Sequence, residues 1–264
     1  SSISVDAKTS EGREVTRRLA ARADILLANM RPGAAERMGV GSDALKELNP
    51  DIIETHVTAF GWNGPYAHRA GVDPLAQAWT GMQRAQGGHG NPPVFLGGLA
   101  PTDYTAGALG ALGGVMALLA RERTGTAQRV NTNLLNAAIL LSSDAFLRYD
   151  GKPARRLADK GQYGLGTLHR LYETSEGWLY LVAENDEDWP ALCRALDRDD
   201  LAGDARFAST QTRHANDAIL ADTLSELFRG RSRDEWVEAL TRAGVPCAPV
   251  VREYGQSFYS DPQA

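Results

Sequence analysis

Short apolar runs alternate with helical segments from Ile3 to Thr58, and no other feature restricts the fold as much. Ile3-Ser4-Val5 reads as a strand. A helix follows from Ser10, its expected N-cap, to about Ala23, with Arg17 and Arg18 toward the end where cations suit the helix dipole. Asp24-Ile25-Leu26-Leu27 is a short apolar run between charge and a loop, the pattern of a buried strand. Met30-Arg31-Pro32-Gly33 is a loop; helices are expected from Ala34 and over Ser42–Leu48, and residues 51–58 have strand composition. Strands that alternate with helices need crossover connections, so the spacing predicts an α/β fold with a Rossmann-like parallel sheet and helices on both faces.

Beyond Thr58 the pattern changes. Residues 60–70 are rich in Gly, Pro and Asn and read as irregular. Helices are expected over 73–86, 103–123 and 134–149, with a loop at 87–93 and a strand at 129–131. Gly107, Gly110 and Gly113 fall at intervals of three on the second helix and predict close approach of another backbone. A hairpin over 169–174 and 177–182 precedes three helices, at 188–196, 214–228 and 232–243. The expected division is a large α/β domain over 1–150, a linker at 151–168 and a smaller α+β domain over 169–264. The opening residues read as a strand entered midway, and 260–264 stop without a final element, as if both ends cut through a longer protein.

Composition excludes several functions. A formal net charge of -5 gives no basic surface for nucleic acid. Two cysteines, Cys193 and Cys247, make no disulfide framework and suit a reducing, cytoplasmic setting. His56, His68, His89, His169 and His214 lie far apart without metal-ligand spacing, so no metal is expected. The longest apolar stretch, 106–120, is shorter than the roughly 20 residues that span a bilayer, and no signal peptide is evident.

Asp103 lies in Pro101-Thr102-Asp103-Tyr104-Thr105, directly before an apolar helix. There the helix dipole and unpaired N–H groups would favour its charged form, and an ionised carboxylate is a usable nucleophile toward an acyl carbon. By residue chemistry alone a helix cap is the leading reading. Asn29-Met30-Arg31-Pro32-Gly33 follows a strand and precedes a helix, where Arg31 and Arg37 could meet phosphates or simply be solvated. The turn from Phe60 to Tyr66 could wall a pocket or cover core. Gly161-Gln162-Tyr163-Gly164-Leu165-Gly166 could be a flap or a linker.

Taken in order, Ala23 to Gly33, Glu36-Arg37-Met38-Gly39, Leu48-Asn49-Pro50, Phe60-Gly61 with Gly64-Pro65-Tyr66, Asp103 to Gly107, Arg121 to Gly125 with Gln128, and Asp204-Ala205-Arg206-Phe207 resemble class III CoA-transferases, the carnitine dehydratase/bile-acid-inducible protein family. The resemblance covers essentially the whole chain. It implies that Asp103 attacks an acyl-CoA thioester, and that Asn29, Met30, Arg31, Arg37 and Met38 hold the adenosine and phosphate part of coenzyme A. Coenzyme A would be a substrate, with no cofactor bound permanently, and a small carboxylic acid the acceptor. Family dimers are interlocked rings, so a homodimer is expected. The same family holds α-methylacyl-CoA racemases, which carry an acid at the Asp103 position and a His where this sequence has Val72. Val72 cannot accept a proton, which favours transfer over racemisation. A non-catalytic CoA-binding subunit is a third reading.

Overall fold

The computed structural model describes residues 2–253 together with 255, 259 and 262. The chain divides into two compact units, one of residues 1–86 with 93–155 and one of 87–92 with 156–264.

The first unit carries α1 (Ser10–Ala20), β1 (Ile25–Ala28), α2 (Ala34–Arg37), α3 (Ser42–Leu48), β2 (Ile53–Thr58), α4 (Asp73–Trp79), α5 (Met82–Gly87), α6 (Pro101–Thr124), β3 (Arg129–Asn133), α7 (Leu134–Leu141) and α8 (Ser143–Phe146). Its sheet is parallel in the order β1-β2-β3, as the alternation requires. Side chains alternate across it. Ile25, Thr55, Val57 and Thr132 meet α6, whereas Leu26 turns to a cluster of Ala20, Ala35, Val40, Leu45 and Ile52 that includes residues of α1, α2 and α3. Helices therefore cover both faces.

Central β2 is buried throughout and brings Glu54 and His56 inside. Glu54 accepts from Ser42 Oγ (2.6 Å) and Arg129 Nη2 (3.1 Å) and meets His56 Nε2 at 3.2 Å. Burial works against its charge, but Ser42, His56 and Arg129 overturn that and hold the carboxyl below its usual range.

The second unit is an antiparallel sheet in the order β4 (Gly164–Gly166), β5 (His169–Thr174), β6 (Gly177–Val182), β7 (Cys247–Pro249), with α9 (Asp188–Ala195), α10 (Asp199–Ala202), α11 (Thr210–Ala215), α12 (Asp217–Phe228) and α13 (Arg233–Arg242). Its core is larger, with Tyr172, Leu179, Leu181, Leu192, Leu220, Leu224, Phe228 and Leu240 among the residues sealed from solvent. Cys193 and Cys247 are both free.

Several expectations are corrected. Ile3-Ser4-Val5 forms no strand: Ile3 is exposed, and no described strand pairs with the outer edge of β1. As an edge strand β1 is itself only partly buried, with Leu27 57% exposed. Thr9 rather than Ser10 caps α1, its side chain accepting from the Gly12 N–H. The helix expected over 73–86 breaks at Thr80-Gly81, where Gly81 takes φ +80°. The helix expected over 134–149 is broken at Ser142 into α7 and α8 and ends at Phe146, and α11 and α12 are separated at Asn216.

On α6 the glycine face meets side chains, not a backbone. A Cβ on Gly110 would lie 2.9 Å from Val57 Cγ2, and one on Gly113 2.5 Å from Val130 Cγ1, while Gly107 faces open space. At 24 residues α6 exceeds its apolar run, and by length and composition it is the one described helix that could cross a bilayer. Here it lies against the parallel sheet. Ser1 and the closing residues 260–264, Pro262 apart, lie outside the described residues.

Candidate active site

The site is built where the parallel strands end. Thr58 leads out of β2, its hydroxyl accepting from the Gly61 N–H (3.0 Å), and Gly61 turns the chain at φ +93°. The segment before α4 then passes so closely that a Cβ on Gly71 would sit 2.3 Å from Ala59 Cβ, so only glycine fits. Between these edges lies a cavity of about 490 Å3 lined by Leu27, Asn29, Val57, Thr58, Ala59, Gly71, Val72, Asp103, Gly107 and Leu134. Its position beyond the carboxyl ends of parallel strands is where open α/β sheets bind ligands.

Asp103 is not the cap of its helix. It is the third residue of α6, whose N-cap position is Ala100 and whose first residue, Pro101, has no N–H to satisfy. The capping comes from Asp73, 3% exposed, in the first turn of α4. Asp73 Oδ2 accepts from Thr102 N (2.7 Å), Thr102 Oγ1 (2.6 Å) and Asp103 N (3.3 Å), and its other oxygen accepts from Gln77 Nε2. The expected effect of the helix terminus on Asp103 is therefore reversed. Partial burial, then the nearby negative charge of Asp73, push the Asp103 carboxyl above its usual range. Solvent still reaches the side chain, and among the described residues its carboxylate accepts no hydrogen bond and forms no ion pair.

Asn29 shares the cavity with Asp103. Met30 and Met38 are half-buried and pack against the Ala20, Ala35, Val40, Leu45 and Ile52 cluster. Arg31 and Arg37 are exposed, and neither guanidinium has a partner among the described residues. Val72 stands in the cavity wall, 59% exposed. Trp79 and Met82 do not line the cavity: Trp79 packs against Phe60 (ring centroids 5.7 Å, edge-on) and Tyr66 (4.7 Å, tilted), and Met82 packs against the core cluster that includes Val57 and Ala106. The aromatic turn from Phe60 to Tyr66 thus packs on itself and on Trp79, with Trp62 against His56 at 4.4 Å. Gly164–Gly166 is a strand of the second sheet. Sequence reasoning missed Asp73, whose partners lie 29 and 30 residues away; an acid opening a helix just before Pro74 was the one local hint.

A cavity of about 320 Å3 in the second unit is lined by Arg156, Glu184, Arg213 and Asp217 among others. Its charges are taken up internally: Arg156 and His169 hold Glu184 (2.6 and 2.9 Å), and the buried Arg213 pairs with Asp186. The Asp103 cavity differs in offering an unengaged carboxylate.

The model of CoA-transferase family III matches residues 1–264. An acyl-CoA transferase of Fusarium pseudograminearum is 34% identical over 251 residues, 94% of this chain and 54% of the relative. The acetyl-CoA:oxalate CoA-transferase of Acetobacter aceti is 28% identical over 95% of this chain and 64% of the relative. This chain therefore spans between half and two thirds of the length of these curated relatives. Among solved structures, a CAIB/BAIF family protein from Brucella suis superimposes with a TM-score of 0.86 at 31% identity, covering 99% of this chain and 68% of that one. Rv3272 of Mycobacterium tuberculosis gives 0.79 at 27% identity, covering 99% and 70%.

Proposed function

We propose that this chain, which belongs to CoA-transferase family III, moves coenzyme A from an acyl-CoA donor to a carboxylic acid acceptor with Asp103 as the attacking carboxylate. The observation that carries this reading is a carboxylate with both oxygens unengaged among the described residues, lining an open cavity beyond the ends of parallel strands.

In the proposed sequence an Asp103 oxygen attacks the thioester carbon, the C–S bond breaks and CoA thiolate leaves a mixed anhydride. The thiolate then attacks the Asp103 carboxyl carbon, releasing the donor acid and leaving an aspartyl-CoA thioester. The acceptor carboxylate attacks that carbon, expelling thiolate and forming a second anhydride. Thiolate finally takes the acceptor acyl group, and the Asp103 carboxylate is restored. No proton is consumed, and the energy of the thioester is kept.

Asn29, from its place in the cavity, and Arg31 and Arg37, with unpaired guanidiniums, are the proposed contacts to the CoA nucleotide; Met30 and Met38 would shape that site from behind. By family resemblance the protein works as a homodimer. Racemisation is less well supported. Asp103 is the only titratable side chain lining the cavity among the described residues, and Val72 offers no second base.

The test is covalent trapping in the protein incubated with an acyl-CoA and a panel of acids. Hydroxylamine should convert the Asp103 side chain to a hydroxamate, located by peptide mass spectrometry, and Asp103→Asn should abolish both adduct and transfer. Full activity in Asp103→Asn, or exchange of the substrate α-proton with deuterated water without any acceptor acid, would sink the reading.

A further inference from the structure

We propose that Asp73 is the positioning residue of this site, clamping the first turn of α6 so that Asp103 stands in the cavity with its carboxylate uncommitted. The proposal rests on the reading of Asp103 as nucleophile.

A helix start leaves N–H groups that some oxygen must accept, usually that of the N-cap side chain, but Ala100 at that position of α6 has none. The acid nearest in sequence is Asp103, and a capping Asp103 would have its lone pairs occupied. Asp73 removes the conflict. One of its oxygens collects the amides of Thr102 and Asp103 and the Thr102 hydroxyl, and Gln77 holds the other. Thr102 is fully buried, so its two bonds to Asp73 are shielded from water and set the direction in which α6 leaves the sheet edge.

The clamp also acts through its charge. After partial burial, the negative charge of Asp73 is what raises the Asp103 carboxyl, and no other titratable side chain lines the cavity among the described residues. A carboxylate beside another negative charge is a less stabilised anion and a better nucleophile, at the cost of being protonated at higher pH. Position and reactivity thus come from one residue.

The test compares Asp73→Asn and Asp73→Ala with the unsubstituted protein. Asparagine retains an oxygen for Thr102, and its amide can donate to Gln77 once that side chain turns to present Oε1, which has no partner now. Asp73→Asn should fold, and its pH profile for Asp103 adduct formation should move its acid limb to lower pH, with a slower plateau and an unchanged KM for acyl-CoA. Asp73→Ala should lower the rate of adduct formation by about 100-fold, the scale of a misplaced reacting group, again without raising KM. An acid limb that stays in place or rises in Asp73→Asn, or a normal adduct rate in Asp73→Ala, would overturn the proposal. If the unsubstituted protein forms no Asp103 adduct, the nucleophile reading fails instead. The clamp is then judged by hydrogen exchange at the Thr102 and Asp103 amides: slow exchange that Asp73→Ala accelerates upholds it, and unchanged exchange refutes it.

Discussion

In the proposed reaction the attacking carboxylate needs free lone pairs and incomplete stabilisation; Asp73 caps α6, and the Asp103 oxygens are unengaged among the described residues. The direction of its pKa gives a testable pH dependence. In that proposed reaction the attacking form is the anion, so transfer should be lost as pH falls through the Asp103 pKa. Because burial and then Asp73 raise that pKa, the acid limb of kcat should lie above the ordinary aspartate range of roughly 3.9. A rate profile over the acid range checks this. Arg31 and Arg37 lead to a different measurement. If they hold the CoA nucleotide as proposed, replacing either by alanine should raise KM for acyl-CoA by about 10- to 100-fold with kcat little changed, since losing such a charge-assisted contact weakens ground and transition states alike. Asp103 was visible as an acid between Pro101 and an apolar run, but that local pattern favoured a helix cap, and only the resemblance pointed to it as a nucleophile. Asp73 was not, since capping at a distance of 29 residues leaves no local pattern. The methionines show another limit: a loop sequence does not say which side chains turn inward, and Met30 and Met38 turned toward the core.

Among the elements, α6 shows how one helix serves packing and chemistry from different faces. Gly110 and Gly113 let it settle onto Val57 and Val130, whose branched side chains fill the space a Cβ would need. Gly113→Ala should therefore lower stability by about 1–3 kcal/mol through overpacking. Gly107→Ala should raise it by about 0.5–1 kcal/mol, because that position faces open space and glycine is a poor helix former. Thermal or urea unfolding of the two variants should separate them in sign. The same Gly107→Ala puts a methyl group into the cavity wall one turn from Asp103, so its effect on transfer should grow with the size of the acyl group. The spacing of these glycines foretold a close approach but not its partner, which depends on sheet register. The broken helix at Gly81 had a visible glycine, yet the apolar period on either side continued through it.

Across the whole molecule, each of the two units carries an acid-sensitive ion network. Glu54 in the first unit and Glu184 in the second are both held below their usual range: burial opposes their charge, and Ser42, His56 and Arg129 in one case, Arg156 and His169 in the other, outweigh it. Depressed carboxyls contribute stability that is present above the unfolded glutamate pKa of roughly 4.3 and is lost as pH falls through the folded values. The unfolding midpoint should drop as pH is lowered below that range, and Glu54→Gln should flatten the part of the slope that belongs to residues 1–86 with 93–155. Hydrogen exchange resolved by peptide checks this.

The excursion of residues 87–92 into the second unit has a practical consequence. His89 donates its backbone N–H to Ala158 O (2.7 Å), Asn91 its side-chain amide to Lys160 O (2.9 Å), and Gln162 its amide to Gly87 O (2.9 Å). A protease that severs the chain after Arg155 would leave this short loop, still covalently part of the first fragment, docked in the second. The nicked halves should co-elute under native conditions and separate only in denaturant. The second unit expressed from Arg156 onward would lack a piece of its own fold, which synthetic 87–92 peptide could supply in trans.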